Sequence, residues 1–352
     1  IEPSISTSYE IGTEFRLFNN RLWGDFNYYT RDDKDQIISV TSAPQSGYST
    51  RKMNAGLIRN RGVELSLGGM PVSTKNWKWE MNFNIAKNSN KLVELADGVD
   101  SYSIYWTSFT TRLYNYAMVG KSLGVITGNT WERDDNGNII FHELSASQKA
   151  LYGGEYVPTY NQNTLDELGN FHPDFTGGFN TSISFKNFRL SANIDFSVGG
   201  QIVSYTNMWG SSSGILDKTA ELNDRGVNVR EPVSKGGGIH MTGVDQDGNK
   251  VDTYVNAKLY YTTASRVWEE WVYDRTYVKL REVSLSYVFP SQTLKKLNIG
   301  LSRASVAINA SNPWLIYSAC PNVDVSEIGM GYFEGGNAAA TRSIGFTVNL
   351  AF

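Results

Sequence analysis

The chain of 352 residues has no apolar run approaching the ~18 residues of a membrane-crossing helix, which excludes a helical membrane protein. That test does not reach β-barrels, because half of every barrel strand is polar. One cysteine, Cys320, excludes an internal disulfide framework and any multi-cysteine metal site. The three histidines, His142, His172 and His240, stand at unrelated spacings in no metal-ligand or nucleophile–base pattern, so no enzyme activity, metal or cofactor is expected. A net charge of -3 leaves no basic surplus for nucleic acid. Glycine runs such as Gly236-Gly237-Gly238 follow no strand-then-helix pattern and make no phosphate cradle. Asp245-Gln246-Asp247-Gly248-Asn249 has oxygen ligands at alternate positions, but the twelfth position of a calcium loop is Asn256 and not glutamate, so a hairpin turn is expected there. The chain opens at Ile1 without a methionine or a signal peptide, which reads as a piece of a longer polypeptide.

What the chain does have is alternation. From Phe188 to Val198, Phe188, Leu190, Ala192, Ile194, Phe196 and Val198 interleave with Arg189, Ser191, Asn193, Asp195 and Ser197. Strand side chains point alternately to opposite faces, so this segment has one greasy and one wet surface over about 35 Å, at ~3.3 Å per residue. Roughly 9 to 11 residues is what a tilted strand needs to cross a bilayer. The pattern recurs at Tyr9–Leu17, Leu22–Tyr29, Val63–Leu67, Trp77–Ile85, Phe179–Phe185, Glu282–Phe289 and Ile344–Phe352. This predicts an all-β fold, a transmembrane antiparallel β-barrel. The alternative is a large soluble β-sandwich or solenoid.

Connection lengths favour the barrel. Asn19-Asn20 and Lys186-Asn187 form two-residue turns, and Gly69–Asn76 and Pro290–Lys296 are also brief. Between them lie long segments rich in Gly, Ser, Asn and aromatics at about 31–57, 88–118, 199–275 and 311–340. Short periplasmic turns alternating with long extracellular loops are the habit of outer-membrane barrels. The strand directions then require zero or two further spans between 86 and 177. The candidates are Leu123–Arg133 and Gly137–Glu143, joined at Asp134-Asp135-Asn136-Gly137. The total is nine or eleven strands, an odd number with a periplasmic C-terminus, so the chain needs the remainder of its own barrel.

Several blocks, in order, resemble the C-terminal barrel half of SusC/RagA-type TonB-dependent transporters. They are Thr7–Gly12, Asn54–Leu65, His172–Asn180, Asp274–Tyr287 and the ending Thr341–Phe352, and together they extend over essentially the whole chain. Pro321-Asn322-Val323-Asp324-Val325-Ser326 departs from the Asp-Pro-Glu that such proteins often carry there. The resemblance implies a 22-stranded barrel filled by a plug, capped outside by a SusD-like lipoprotein, and importing oligosaccharides or peptides with energy passed through the TonB complex. It also implies that the terminal Phe352 is an assembly signal. A non-transporting outer-membrane scaffold or adhesin is the alternative function.

Two sets of side chains are candidates for the site. The polar strand faces, with Glu10, Arg16, Asp25, Glu64, Lys78, Glu80, Arg189 and Asp195, are expected to line the lumen. Aromatics of the long segments, among them Trp106, Trp131, Trp209, Tyr254, Tyr260, Trp268 and Trp271, offer flat faces for a substrate. Packing among the loops, or girdle anchoring for Trp268, Trp271 and Trp314, is the other reading.

Overall fold

The computed structural model describes all residues except 42–49, 55, 109–110, 163–164, 298–299, 329–331, 337 and 339. Nine strands form one antiparallel sheet, in which every strand pairs with its neighbours in sequence: β1 (Ile5–Leu17), β2 (Leu22–Lys34), β3 (Leu57–Ser73), β4 (Trp77–Glu94), β5 (Phe175–Phe185), β6 (Phe188–Val198), β7 (Tyr277–Val288), β8 (Arg303–Ser318) and β9 (Ser343–Ala351). The meander follows from the turns. Phe18, Asn19 and Asn20 take left-handed φ between β1 and β2, as does Lys186 between β5 and β6, and tight reversals require that conformation. All the short connections, 18–21, 74–76, 186–187 and 289–302, lie at one end of the sheet. All the long ones, 35–56, 95–174, 199–276 and 319–342, lie at the other.

Segment 123–143 does not cross. Val125–Gly128 joins a small four-stranded sheet and Phe141–Glu143 a two-stranded one, both within the 95–174 connection. Among the described residues the spans therefore number nine, the lower of the two expected totals.

Several strands run past their apolar pattern, because backbone pairing continues where lipid contact stops. β3 and β4 extend to 17 and 18 residues. There the amides of Asn88 and Asn90 donate to Asn60 Oδ1. The turn expected at 290–296 is a helix, Ser291–Leu297, with Lys295 and Lys296 in its last turn. Leu294 is buried at 4% exposure. The following strand consequently starts at Arg303 and not near 297.

Register settles the faces, because directly opposed residues of an antiparallel pair share one. Phe15, Gly24, Leu67, Phe83, Phe179, Ile194, Leu280 and Trp314 form one continuous rung from β1 to β8. On that side Ile11, Leu190, Leu285, Ile308 and Phe346 are exposed, and no second layer covers them among the described residues. A bare apolar face of this extent is a membrane surface and not a sandwich half. At the short-turn end it carries a row of packed aromatics. Trp77 and Phe185 lie 4.3 Å apart, Phe188 and Tyr287 4.7 Å, and Tyr287 and Phe289 5.1 Å. That is the position of an interfacial girdle.

Candidate functional site

The opposite face is polar. Trp23, Gly68, Asn82, Asn180, Asn193, Glu282 and Ser311 form its central rung from β2 to β8. By the same register Glu10, Arg16, Asp25, Glu64, Lys78, Glu80, Arg189 and Asp195 all stand on this side. Their partners are local. Arg16 pairs with Glu14 at 2.9 Å and Lys78 with Glu80 at 3.0 Å, both solvent-exposed pairs worth little. Arg189 donates to Ser182 at 3.2 Å.

A groove of about 330 Å³ runs along this face, lined by Trp23, Glu80, Asn82, Asn180, Asn193 and Glu282. Its floor is kept low by a glycine. A Cβ on Gly68 would stand 2.0 Å from the Trp23 indole, so only glycine lets that ring lie flat across the neighbouring strand. A Cβ on Gly62 would likewise stand 2.3 Å from the Tyr29 ring, which lies over that glycine.

The long connections form a cap with its own core. Leu113 and Ile126 from 95–174, Val203, Met208, Val267, Trp268 and Trp271 from 199–276, and Tyr332 from 319–342 pack into one cluster. Charged contacts also join the connections. Arg133 grips Glu269 at 2.7 and 2.9 Å, and Trp131 Nε1 donates to Glu270 at 2.6 Å. The helix Tyr205–Ser212 is capped by Ser204, and the buried Glu334 carboxylate accepts from Ser204 Oγ and from Thr206 Oγ1.

This core decides where the candidate aromatics sit. Trp131, Trp268 and Trp271 are 2%, 0% and 1% exposed, so the cap takes up their ring faces, whereas Trp314 is exposed on the apolar face of the sheet. Tyr260 stacks on Trp131 and donates to Glu270 at 3.3 Å, and burial pushes its hydroxyl pKa up. Tyr254 donates to Asp224 at 2.6 Å and is stacked on His240, with the Arg225 guanidinium 3.5 Å above its ring. Trp209 is 46% exposed and walls a mostly apolar cavity of about 490 Å³ with Tyr205, Ile215 and Leu216. Trp106 lies in the strand Ser101–Ser108, with its side chain outside the described residues. The Asp245 carboxylate is occupied by the Asp247 and Asn249 amides, as a hairpin turn requires.

Sequence reasoning missed one cluster: Lys279 and Arg281 on β7, with Asp324 and Glu327 from the 319–342 connection. Lys279 is 1% exposed and bonds both carboxylates, at 2.7 and 2.9 Å. Burial works against ionised Asp324, yet the Lys279 ammonium and Ser326 hold its pKa below the usual carboxylate range. The hydrogen bond from Lys279, aided by Arg281, does the same for Glu327. Buried Cys320 lies nearby, its thiol pushed up to about 12 by burial. A signal was present in the sequence. Adjacent charges at Arg281-Glu282 break the period of two, which marks a bulge.

A bare apolar face, a polar groove and a one-ended cap describe a section of a barrel wall. The sequence profile described as "TonB dependent receptor-like, beta-barrel" matches residues 1–201. The chain belongs to this TonB-dependent receptor barrel family. It is 28% identical over 327 residues to TonB-dependent receptor P3 of Formosa agariphila, a match covering 91% of this chain and 30% of that protein. With TonB-dependent receptor SusC of Bacteroides thetaiotaomicron it shares 30% identity over 206 residues, covering 56% of this chain and 20% of that protein. Among solved structures, the RagAB peptide importer in its "closed-closed" state aligns over 99% of this chain and 35% of the RagAB chain, with TM-score 0.71 and 19% identity. The "open-open" state of the same importer gives 0.69. These alignments share the fold. The matches span about a third of the length of receptor P3 and of the RagAB chain and a fifth of SusC, and the curated relatives are named as TonB-dependent receptors. Membership places this chain's sheet in the outer membrane.

Proposed function

We propose that this chain is a wall section of an outer-membrane importer that takes up oligosaccharides or peptides by TonB-driven transport. The long-connection end faces the cell exterior and a SusD-like lipoprotein, and the C-terminus faces the periplasm. The observation that carries the reading is the division of the sheet. One face is apolar and bare, the other polar and grooved, and the long connections all lie at a single end, where three of them pack into one cap core. A lumen wall needs that polar face, and a barrel large enough for nutrient passage needs a plug to stop leakage. The plug, the remaining strands and the TonB contact belong to the rest of the transporter. Exposed Trp209 is the candidate surface of the cap for substrate or lipoprotein. A RagAB-like peptide and a SusC-like substrate are both compatible with a wall that carries amides, hydroxyls and charges of both signs.

Cysteines at Asn187 and at the exposed Lys235 of the full-length protein test the orientation with an impermeant reagent on whole cells. Lys235→Cys should label from outside, and Asn187→Cys only after the outer membrane is opened. Growth on single glycans and on defined peptides, with and without TonB, tests transport. External labelling of both cysteines, or TonB-independent growth on every nutrient that needs this protein, refutes the reading. In the second case the scaffold alternative gains.

A further inference from the structure

The polar face changes character abruptly at one height. Asn193 on β6 and its cross-strand partner Glu282 on β7 are both exposed. One rung nearer the long-connection end, Asp195 is half-buried and Lys279 is covered almost completely. What covers them is residues 319–328 of the β8–β9 connection. β7 bulges at Arg281 against β6, and its register with β8 shifts here as well, so that Lys279, Arg281 and Glu282 all reach the polar side. The Lys279 ammonium donates to Asp324, to Ser326 at 3.0 Å and to Glu327. Arg281 forks onto Asp195 at 2.8 and 2.9 Å and also donates to Glu327, while the Tyr277 hydroxyl reaches Asp195 at 3.1 Å. The segment thus reaches over β7, and Arg281 links it onward to Asp195 of β6.

Its other attachments are to the cap. The buried Asn207 amide donates to Pro321 O at 2.9 Å and accepts from Asn322 at 2.9 Å. Val325 packs with Ile202 and Cys320. Farther along, Phe333 and Glu334 pair with Val203 and Ser204. The segment is therefore pinned to the cap at both ends and reaches the wall in the middle through charges. Directly below it begins the groove, whose lining includes Asn193 and Glu282.

We propose that residues 319–328 are a strap gating the outer end of this groove, closed when the clasp of Asp324 and Glu327 engages Lys279 and Arg281, and opened when the clasp breaks. Ion pairs suit a latch because they act at short range and in fixed geometry, whereas an apolar seam would hold the strap shut through a nonspecific surface. Glu327 is the joint of the device, since it touches both cations. The inference rests on the polar face being a lumen wall.

The test uses the full-length protein in whole cells, with Glu282→Cys as reporter and a membrane-impermeant maleimide added outside. The protein without the reporter measures the background from buried Cys320. Adding Glu327→Ala should speed labelling about tenfold, the population change expected when a charge-assisted hydrogen bond is lost. Equal rates overturn the gate. A reporter that reacts only with a lipid-phase reagent overturns the lumen reading instead, so the two failures are distinguishable. A second readout is hydrogen exchange of the detergent-solubilised full-length protein with the milder Glu327→Gln. Amides of 319–328 should exchange severalfold faster while those of 257–272 in the cap core keep their rates. Uniform acceleration, or none, overturns the strap as an independent device.

Discussion

The sharpest test of a lipid-facing and a water-facing side is a pair of neighbouring substitutions on β6. Ile194 lies mid-strand on the apolar rung between Phe179 and Leu280, and Asn193 lies on the polar rung between Asn180 and Glu282. An arginine on the lipid face near the bilayer midplane costs about 2–4 kcal/mol, which is about 30- to 800-fold in a folding equilibrium. At Asn193 the same side chain enters a hydrated groove beside the Glu282 carboxylate, and the change should stay within about 0.5 kcal/mol, as for other exposed sites. The predicted gap between Ile194→Arg and Asn193→Arg is therefore ~1.5 kcal/mol or more. The assay is denaturant unfolding of the full-length barrel in lipid bilayers, comparing midpoints at unchanged slope. Equal destabilisation by both substitutions would falsify the two-faced reading of the sheet. Recovery of the parent protein in the soluble fraction would remove the membrane from the argument altogether.

Three other outcomes follow from specific contacts. Trp268 is fully buried against Tyr205 and Gly128, so Trp268→Ala should cost the cap about 3–5 kcal/mol and render residues 199–276 protease-sensitive on whole cells while the barrel keeps its heat-modifiable migration; unchanged proteolysis refutes an autonomous cap core. Asp324 and Glu327 have pKa values lowered in the folded state, so their contribution to strap closure is complete above the ordinary carboxylate pKa of about 4 and fades as pH falls below it; exchange of 319–328 that does not rise between about pH 6 and pH 3 contradicts this. Phe352 is 85% exposed and contributes little packing, so its deletion should lower the amount of protein in the outer membrane without lowering the stability of what is inserted; normal abundance refutes an assembly role.

The strands and their two faces were legible in the residues alone, because period-two alternation is a local property that each strand states on its own, as Phe188–Val198 does. So were the neighbours across short turns such as Lys186-Asn187, which leave the next strand no position but the adjacent one, whereas the pairing of β4 with β5 across residues 95–174 was set by tertiary contact. Directionality limited segment 123–143 to zero or two spans, and only tertiary pairing made it zero, because its short strands find partners in the cap. The ends of strands were less legible. β3, β4 and β8 continue past their alternating stretches on backbone hydrogen bonds, which carry no side-chain pattern. The aromatics show the same limit: Trp209 and Trp268 are alike in composition and context, yet one lines a surface cavity and the other fills a core assembled from three connections. Lys279 meets Asp324 and Glu327 across 45 and 48 residues of chain. Such a meeting depends on register, on the Arg281 bulge and on a connection folding back over the sheet, and these are set by packing between segments and not by the residues of any one of them.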